Sequence, residues 1–323
     1  MAHAGSAAAP VKVSAAGLTV LTEPEAPSLD IVFVHGFTGH PERTWTSPSV
    51  AATSSATSTS STDERPSKFR RILGPRKSSA QQLSGPTGVY WPHALLPQTL
   101  PDARVLTYGY DTNVRHAFVG PVSKNSLYDH AGDFLVSLEA ERRADPQRRL
   151  ILVAHSLGGL LVKEMLRRSR GYEKQPDFRT VFESTVGIIF FGTPHQGADP
   201  RTLAHHVVIS LAKAVGFRVN EQVMEALFPA AEYLKQLRDE FNHMIDERGW
   251  IIHSFQEQYA LPGLFGKKVV EDDSSCIWNS AAEIVQHIGS NHKDMCRFPG
   301  LQDLEYRKPN AGHLGMPVAI AKA

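Results

Sequence analysis

The chain has 323 residues, of which 41% are hydrophobic and 21% charged, and its formal net charge at pH 7 is +1. This length and composition predict a globular chain with one sizeable core. The near-zero net charge gives no electrostatic reason to expect a nucleic-acid partner. The two cysteines, Cys276 and Cys296, form no disulfide framework and have no metal-ligand partner at a useful spacing. We therefore expect no metal site and a reducing compartment.

The sequence also predicts where the protein works. No apolar run approaches the length of a transmembrane helix. The Ala/Ser-rich start of the chain has no apolar core of a secretory signal, and without arginine it makes a weak mitochondrial presequence. We expect an intracellular protein with no transmembrane segment. Cytoplasm is the favoured location, with the mitochondrion and the endoplasmic reticulum as alternatives.

Predicted strands and helices alternate along the chain. Apolar runs predict strands at 18–21, 31–34, 105–108, 150–154 and 185–191. The last two strands are predicted at 250–255 and 268–270, and helices at 127–142 and over most of 201–248. This alternation is typical of the α/β class, with a mostly parallel sheet and helices on both faces.

One long segment interrupts this pattern. Residues 46–88 are rich in Ser and Thr, then basic, then rich in Gly and Pro, a composition that cannot build a core. They predict a disordered insertion in a single domain over 18–300, between a flexible N-terminus (1–17) and a C-terminal tail (301–323). The basic part, 68–77, is compatible with a peripheral contact to anionic lipids, although a solvated charge cluster is the preferred interpretation.

The most informative stretch is 149–163, RLILVAHSLGGLLVK. A buried strand is followed directly by small and polar residues and then by leucines at helical spacing. This is the pattern of a nucleophile elbow, G-x-S-x-G, with Ser156 at the turn and Ala154 in the first small position. An elbow serine becomes a nucleophile when a base takes its proton. The alternative is an ordinary strand and helix in which Ser156 is only the N-cap.

A second motif follows the predicted strand at 31–34. Residues 34–39, VHGFTG, contain glycines that allow an unusual backbone conformation. Hydrolases with a nucleophile elbow take one oxyanion-hole N–H from a loop at this place, directly after an early strand. The other N–H comes from the residue after the nucleophile. We therefore predict an oxyanion hole formed by the backbone N–H groups of Phe37 and Leu157, against the alternative of a tight turn without a catalytic role.

An acid and a histidine must follow the serine in that order. The acidic cluster 271–273 comes directly after the predicted strand at 268–270, and His292 lies twenty residues beyond Asp272. The histidine would take the proton of Ser156, and the acid would orient the imidazole. The chain has 15 histidines, so sequence proximity alone does not select one of them.

Several blocks of the chain resemble one known family. The fungal serine esterases of the DUF676 and SERAC1-like group share the blocks IVFVHGFTGHPERTWT, VYWPHALLPQTLPDARVLTYGYD, ILVAHSLGGLLVKEML, IIFFGTPHQGAD and NHKDMCRF, in this order. The resemblance covers residues 18–300 and implies an α/β-hydrolase fold. It implies Ser156 as nucleophile, His292 as base, and Phe37 and Leu157 as oxyanion donors. Counted back from Ser275 along the family pattern, the acid is Asp272; counted from Ser274, it would be Glu271.

The same resemblance implies a function. It predicts hydrolysis of carboxylic esters of lipids or other acyl substrates, without a metal or an organic cofactor. The residues themselves indicate only an activated serine and an oxyanion hole, which serve esters, thioesters and amides alike. The alternative is a hydrolase-fold interaction or signalling module with weak or no catalysis.

Overall fold

Within the described residues of this computed structural model, seven strands form one sheet. The structure describes residues 11–48, 88–110, 126–195, 200–214, 231–262, 264, 266–279 and 281–307. The strands are β1 (Gly17–Thr22), β2 (Leu29–Val34), β3 (Ala103–Gly109), β4 (Arg149–His155), β5 (Thr185–Phe191), β6 (Ile251–Tyr259) and β7 (Glu283–Asn291). Their order across the sheet is β1-β3-β2-β4-β5-β6-β7. β1 is antiparallel to β3, and the other neighbouring pairs are parallel.

The central strands are apolar because both of their faces are covered. Every side chain of β2 and β3 is buried, and only the first residue of β4 is partly exposed. Two hydrophobic clusters lie on the two faces of the sheet. Continuous apolar runs of this kind are typical of parallel strands between two helical layers.

The helices connect these strands. They are α1 (Trp91–Ala94), α2 (Leu96–Thr99), α3 (Leu127–Arg142), α4 (Gly158–Gly171), α5 (Pro176–Ser184), α6 (Pro200–Ala214), α7 (Ala231–Arg248) and α8 (Leu304–Arg307). The start of α3 is fixed by a capping box, in which Ser126 and Asp129 each accept from the backbone N–H of the other. β4 passes into α4 through a two-residue turn. The mostly parallel sheet, the two helical layers and this turn make the fold that of the α/β-hydrolases, as predicted.

Most predicted elements agree with the structure, and one does not. The first five predicted strands lie within β1 to β5, and the helix at 127–142 coincides with α3. Residues 201–214 and 231–248 are helical, whereas 215–230 lie outside the described residues. The strand predicted at 268–270 is wrong: this segment forms a loop, and the last strand is β7. Val270 donates its N–H to the side chain of Glu257 instead of to a neighbouring strand.

The ends of the predicted insertion are held by backbone contacts. Thr46 forms an antiparallel bridge with Tyr90, and the Ser47 N–H donates to the Val89 carbonyl. Residues 46–48 and 88 therefore belong to the described fold, and the rest of the predicted insertion, 49–87, lies outside the described residues. At the other end of the chain, Tyr306 of the predicted tail is buried against the ring of Trp91, while 1–10 and 308–323 lie outside the described residues.

Candidate active site

Ser156 lies on the sharp turn between β4 and α4. Its φ is +53°, in the left-handed region that costs a non-glycine residue about 1–2 kcal/mol. The Ser156 N–H donates to the Phe191 carbonyl at 2.8 Å. Its carbonyl accepts from the Thr193 hydroxyl and from the Gly159 N–H, both at 3.0 Å. These three hydrogen bonds hold the strained backbone that directs the serine hydroxyl away from the sheet.

Glycines allow the chain to approach this turn closely. A Cβ added to Gly36 would lie 2.7 Å from the Ser156 Cβ, and one added to Gly159 would lie 2.3 Å from the Thr193 side chain. At Gly158 it would lie 2.4 Å from the His35 carbonyl oxygen. The loop after β2, the elbow and the loop after β5 are therefore in direct contact only because these positions have no side chain.

His292 brings its imidazole to the serine hydroxyl. It is the first residue after β7, fully buried, and its Nε2 lies 2.9 Å from Ser156 Oγ. Its Nδ1 lies 3.2 Å from Glu257 Oε1. A carboxylate accepts only, so Nδ1 carries the hydrogen and Nε2 is free to accept the proton of the serine. The predicted proximity of Ser156 and His292 is present in the structure.

Glu257 is the carboxylate that contacts this histidine. It belongs to β6 and is 1% exposed. Besides the contact with the imidazole, its Oε2 accepts from the His292 N–H at 3.1 Å, and its Oε1 accepts from the Val270 N–H at 2.7 Å. These N–H groups stabilise the buried charge and fix the side chain in place. In chain order the three residues run Ser, Glu, His, as an α/β-hydrolase triad requires.

Asp272 is not the partner of His292, and this prediction is corrected. It lies in a 3-10 turn with its side chain 45% exposed, and its Oδ1 accepts from Lys268 Nζ at 2.6 Å and lies 3.3 Å from His287 Nε2. Partial burial acts to raise the pKa of Asp272, but the hydrogen bonds from Lys268 and His287 outweigh it and lower the pKa. The alternative, Glu271, is exposed to solvent.

The two predicted oxyanion donors lie on either side of the elbow. Phe37 follows Gly36, which touches Ser156, and Leu157 is the N-cap of α4. Among the residues that the structure describes, neither backbone N–H has a hydrogen-bond acceptor. The N-terminus of α4 adds the positive end of its dipole at the same place. The two N–H groups are therefore available to a negatively charged oxygen bound beside Ser156.

The loop that carries Phe37 is anchored to the end of β3. The His35 ring stacks on the Tyr110 ring with centroids 4.5 Å apart, and the Tyr110 hydroxyl donates to the His35 carbonyl at 2.9 Å. Burial lowers the pKa of His35 to about 4, so this ring is neutral near pH 7. The contact fixes the backbone immediately before Gly36.

Two further findings concern the surroundings of this site. Within the described ranges, no cluster of three or more His, Cys, Asp or Glu side chains has the arrangement of a metal site. No helix in the described part of the chain combines the length and apolarity needed to cross a membrane.

The chain is similar to the SERAC1 proteins. It is 27% identical to human SERAC1 (Homo sapiens) over 241 residues, which cover 74% of this chain and 31% of the human protein. It is 29% identical to bovine SERAC1 (Bos taurus) over 189 residues, which cover 55% of this chain and 25% of the bovine protein. The chain thus spans less than a third of the length of these relatives. No family model matches it.

Solved structures with a similar fold include hydrolases. The mature lipase BlEst2 of Bacillus licheniformis is 14% identical, with a TM-score of 0.49 over 86% of this chain and 92% of the lipase. The NocB thioesterase domain from the nocardicin cluster is 13% identical, with a TM-score of 0.41 over 90% of this chain and 95% of that domain.

Sequence reasoning missed Glu257 because the strand predicted at 250–255 lies in β6 but stops before this residue. The strand predicted at 268–270 directs attention instead to the acidic cluster that follows it. The signal for Glu257 is its place at the carboxyl end of the run 251–259, which pairs in parallel with β5. Because acids of this fold follow the nucleophile near strand ends, extending that run past Phe255 would have indicated Glu257.

Proposed function

We propose that this chain is a serine hydrolase of carboxylic esters, with Ser156 as nucleophile, His292 as base and Glu257 as the acid that orients the base. The observation that carries the proposal is the continuous contact from Ser156 Oγ through the His292 ring to the Glu257 carboxylate, at 2.9 and 3.2 Å. Nucleophile, base and orienting group within hydrogen-bond reach are typical of covalent catalysis by serine.

Acylation follows from this geometry. Ser156 Oγ attacks the ester carbonyl carbon while its proton moves to His292 Nε2. The negative charge that develops on the carbonyl oxygen is stabilised by the N–H groups of Phe37 and Leu157. When this intermediate collapses, the bond to the leaving alcohol breaks, and His292 returns the proton to the departing oxygen.

Deacylation repeats these steps with a water molecule as the nucleophile. His292 takes a proton from a water molecule, whose oxygen attacks the acyl carbon bound to Ser156. The same two N–H groups stabilise the second oxyanion. The bond to Ser156 Oγ then breaks, the serine regains its proton from His292, and the carboxylic acid leaves. Glu257 stays ionised and stabilises the imidazolium that forms in each half.

For the substrate we propose esters of lipids or of other acyl groups. The support is the resemblance to the DUF676 and SERAC1-like esterases, carried by the blocks at 31–46, 89–111, 151–166, 188–199 and 291–298. The same resemblance points to a fungal source. Thioesters and peptides would use the same groups. A peripheral membrane contact rests only on the basic segment 68–77, which lies outside the described residues.

We also propose an intracellular location, with cytoplasm preferred over mitochondrion or endoplasmic reticulum. The support is the state of the two cysteines. Cys276 and Cys296 are both buried free thiols, which suits a reducing compartment. Localisation of a tagged chain in cells tests this part separately from the chemistry.

The experiment is fluorophosphonate labelling of the purified protein beside its Ser156→Ala and His292→Ala variants. We expect labelling of the wild type only. Hydrolysis rates on p-nitrophenyl esters of increasing chain length then distinguish an esterase from a lipase. If a folded wild-type protein does not label, the hydrolase proposal fails and the interaction-module alternative takes its place.

A further inference from the structure

The side chain of His155 lies between the elbow and the loop that carries the base. His155 is the last residue of β4 and precedes Ser156. Its Nε2 lies 2.8 Å from the carbonyl oxygen of His292, and the two imidazole rings have centroids 5.0 Å apart. On the other side, a Cβ added to Gly36 would lie 3.3 Å from His155 Nδ1. The ring therefore contacts both the oxyanion loop and the base loop.

The partner of His155 fixes its tautomer. A carbonyl oxygen only accepts, so Nε2 carries the hydrogen and donates it to His292. Burial, followed by the proximity of His292, lowers the pKa of His155 to about 3, although its hydrogen bond to the carbonyl acts in the opposite direction. His155 therefore stays neutral at the pH values where His292 works, and it does not compete with His292 for the serine proton.

This bond completes the anchoring of the His292 main chain. The His292 N–H donates to Glu257 at 3.1 Å. Of the groups in the described ranges, only His155 donates to the His292 carbonyl. The main chain of His292 is thus held by β6 on one side and by the residue next to the nucleophile on the other.

We infer that His155 is a positioning residue of the site, whose Nε2–H holds the backbone of His292 at the distance from Ser156 that proton transfer needs. The inference rests on the proposed function, in which His292 is the base. The linkage is local, because His155 and Ser156 share a peptide bond. A movement of the base loop away from the elbow would break this hydrogen bond.

Three substitutions at His155 distinguish the effect of losing the hydrogen-bond donor from the effect of losing the imidazole ring. His155→Phe keeps a buried ring but removes the donor, and His155→Gln places an amide N–H near the position of the imidazole Nε2. His155→Asn avoids overpacking should the phenylalanine variant not fold, and its shorter amide does not reach the carbonyl. His253→Phe is the matched control: this strand histidine is buried, has a pKa lowered to about 4, mainly by burial, and stacks on Phe255.

The first readout is the second-order rate of fluorophosphonate labelling, corrected for the folded fraction by circular dichroism. We expect His155→Phe and His155→Asn to label about 10- to 100-fold more slowly, because small displacements of catalytic groups have effects of this size. We expect His155→Gln to recover most of the rate and His253→Phe to stay within about twofold of the wild type. Equal rates in the wild type and His155→Phe would overturn the inference, as would equal losses in the Gln and Phe variants.

The second readout does not depend on catalysis. In ¹⁵N-histidine NMR spectra, the ring signals of His292 should change in His155→Phe and return toward the wild-type values in His155→Gln. If the wild type does not label, the proposed function fails, and these spectra still decide whether His155 holds His292 in place. Identical His292 signals in the wild type and His155→Phe would contradict the positioning role of His155.

Discussion

Glu257 contacts His292 twice, through the ring and through the main chain. Glu257 Oε1 lies 3.2 Å from the imidazole Nδ1, and Oε2 accepts from the backbone N–H at 3.1 Å. One carboxylate therefore sets both the tautomer of the ring and the position of the residue that carries it. In the proposed mechanism, these two contacts keep Nε2 available to Ser156.

The first prediction concerns this carboxylate. Glu257→Gln replaces one acceptor oxygen by an NH₂ group, which faces either Nδ1 or the backbone N–H of His292. Where the NH₂ group faces Nδ1, the imidazole takes the tautomer with its hydrogen on Nε2, which cannot accept the serine proton. Where it faces the backbone N–H, two donors oppose each other and His292 is displaced from Ser156. We expect the rate of ester hydrolysis to fall by a factor on the order of 10²–10⁴ with the fold intact.

Asp272→Asn is the matched control, because Asp272 is the acid that the sequence selected. It removes an exposed ion pair with Lys268, which contributes about 0–1 kcal/mol. We expect an activity within about twofold of the wild type. Steady-state kinetics of both variants on one p-nitrophenyl ester decide the matter. An inactive Asp272→Asn beside an active Glu257→Gln would return the acid to Asp272.

The second prediction concerns the strain at Ser156. Its φ of +53° favours glycine, so Ser156→Gly should be more stable than Ser156→Ala by about 1 kcal/mol, although glycine gains entropy in the unfolded chain. Both variants lose the hydroxyl and its contact with His292, so this loss cancels in the comparison. Urea unfolding of the two inactive variants measures the difference. An alanine variant as stable as the glycine variant would show that the turn relaxes.

The third prediction concerns Gly36, where the oxyanion loop touches the elbow. In Gly36→Ala the new Cβ would lie 2.7 Å from the Ser156 Cβ and 2.8 Å from the His155 carbonyl oxygen. We expect a loss of about 1–3 kcal/mol in the free energy of unfolding and a fall in activity larger than the loss of folded protein explains. Gly171→Ala is the control, because the new Cβ at the end of α4 has no atom within 4 Å. We expect this variant to keep the wild-type free energy of unfolding and the wild-type activity. Similar results for the two variants would contradict the close packing at Gly36.

The sequence was most informative where a candidate catalytic residue lies on a backbone turn that only certain residues allow. A local pattern identifies Ser156, because a strand that turns sharply into a helix needs particular residues. The glycines of 34–39 were predicted to allow an unusual backbone, and the structure shows that Gly36 allows a close approach to Ser156. His292 was selected by chain order and by resemblance, and the structure places it against Ser156.

Sequence reasoning missed Glu257 for a physical reason. Glu257 stands in a polar run, SFQEQY, which resembles the exposed end of a strand, and its burial depends on contacts with Val270 and His292 far along the chain. The segment before Asp272 has two valines, a pattern that favours a strand. In the structure these valines are buried in a loop, and the Val270 N–H donates to Glu257. The burial of Glu257 therefore depends on long-range contacts, whereas the local pattern indicates only its place near the end of β6.

The fourth prediction concerns acid stability. Burial lowers the pKa of His35 to about 4, that of His155 to about 3 and that of His253 to about 4. In the unfolded chain these histidines titrate near 6.5. Below pH 6.5 the unfolded chain therefore binds protons that the folded chain does not. The free energy of unfolding should fall as the pH drops from 6.5 toward 4, by up to about 1.4 kcal/mol per pH unit for each histidine. Above pH 6.5 these three histidines do not make the free energy of unfolding depend on pH.

His253→Gln isolates one of these contributions. His253 lies outside the proposed catalytic groups, and its Nε2 lies 2.9 Å from the Gln286 side-chain oxygen, a contact that a glutamine amide reproduces. Urea unfolding of the wild type and the variant at pH 7.5, 6.5, 5.5 and 4.5 measures the two slopes. We expect a shallower slope for the variant between pH 6.5 and 4.5 and parallel curves above it. Parallel curves over the whole range would mean that His253 takes up its proton in the folded protein as readily as in the unfolded chain.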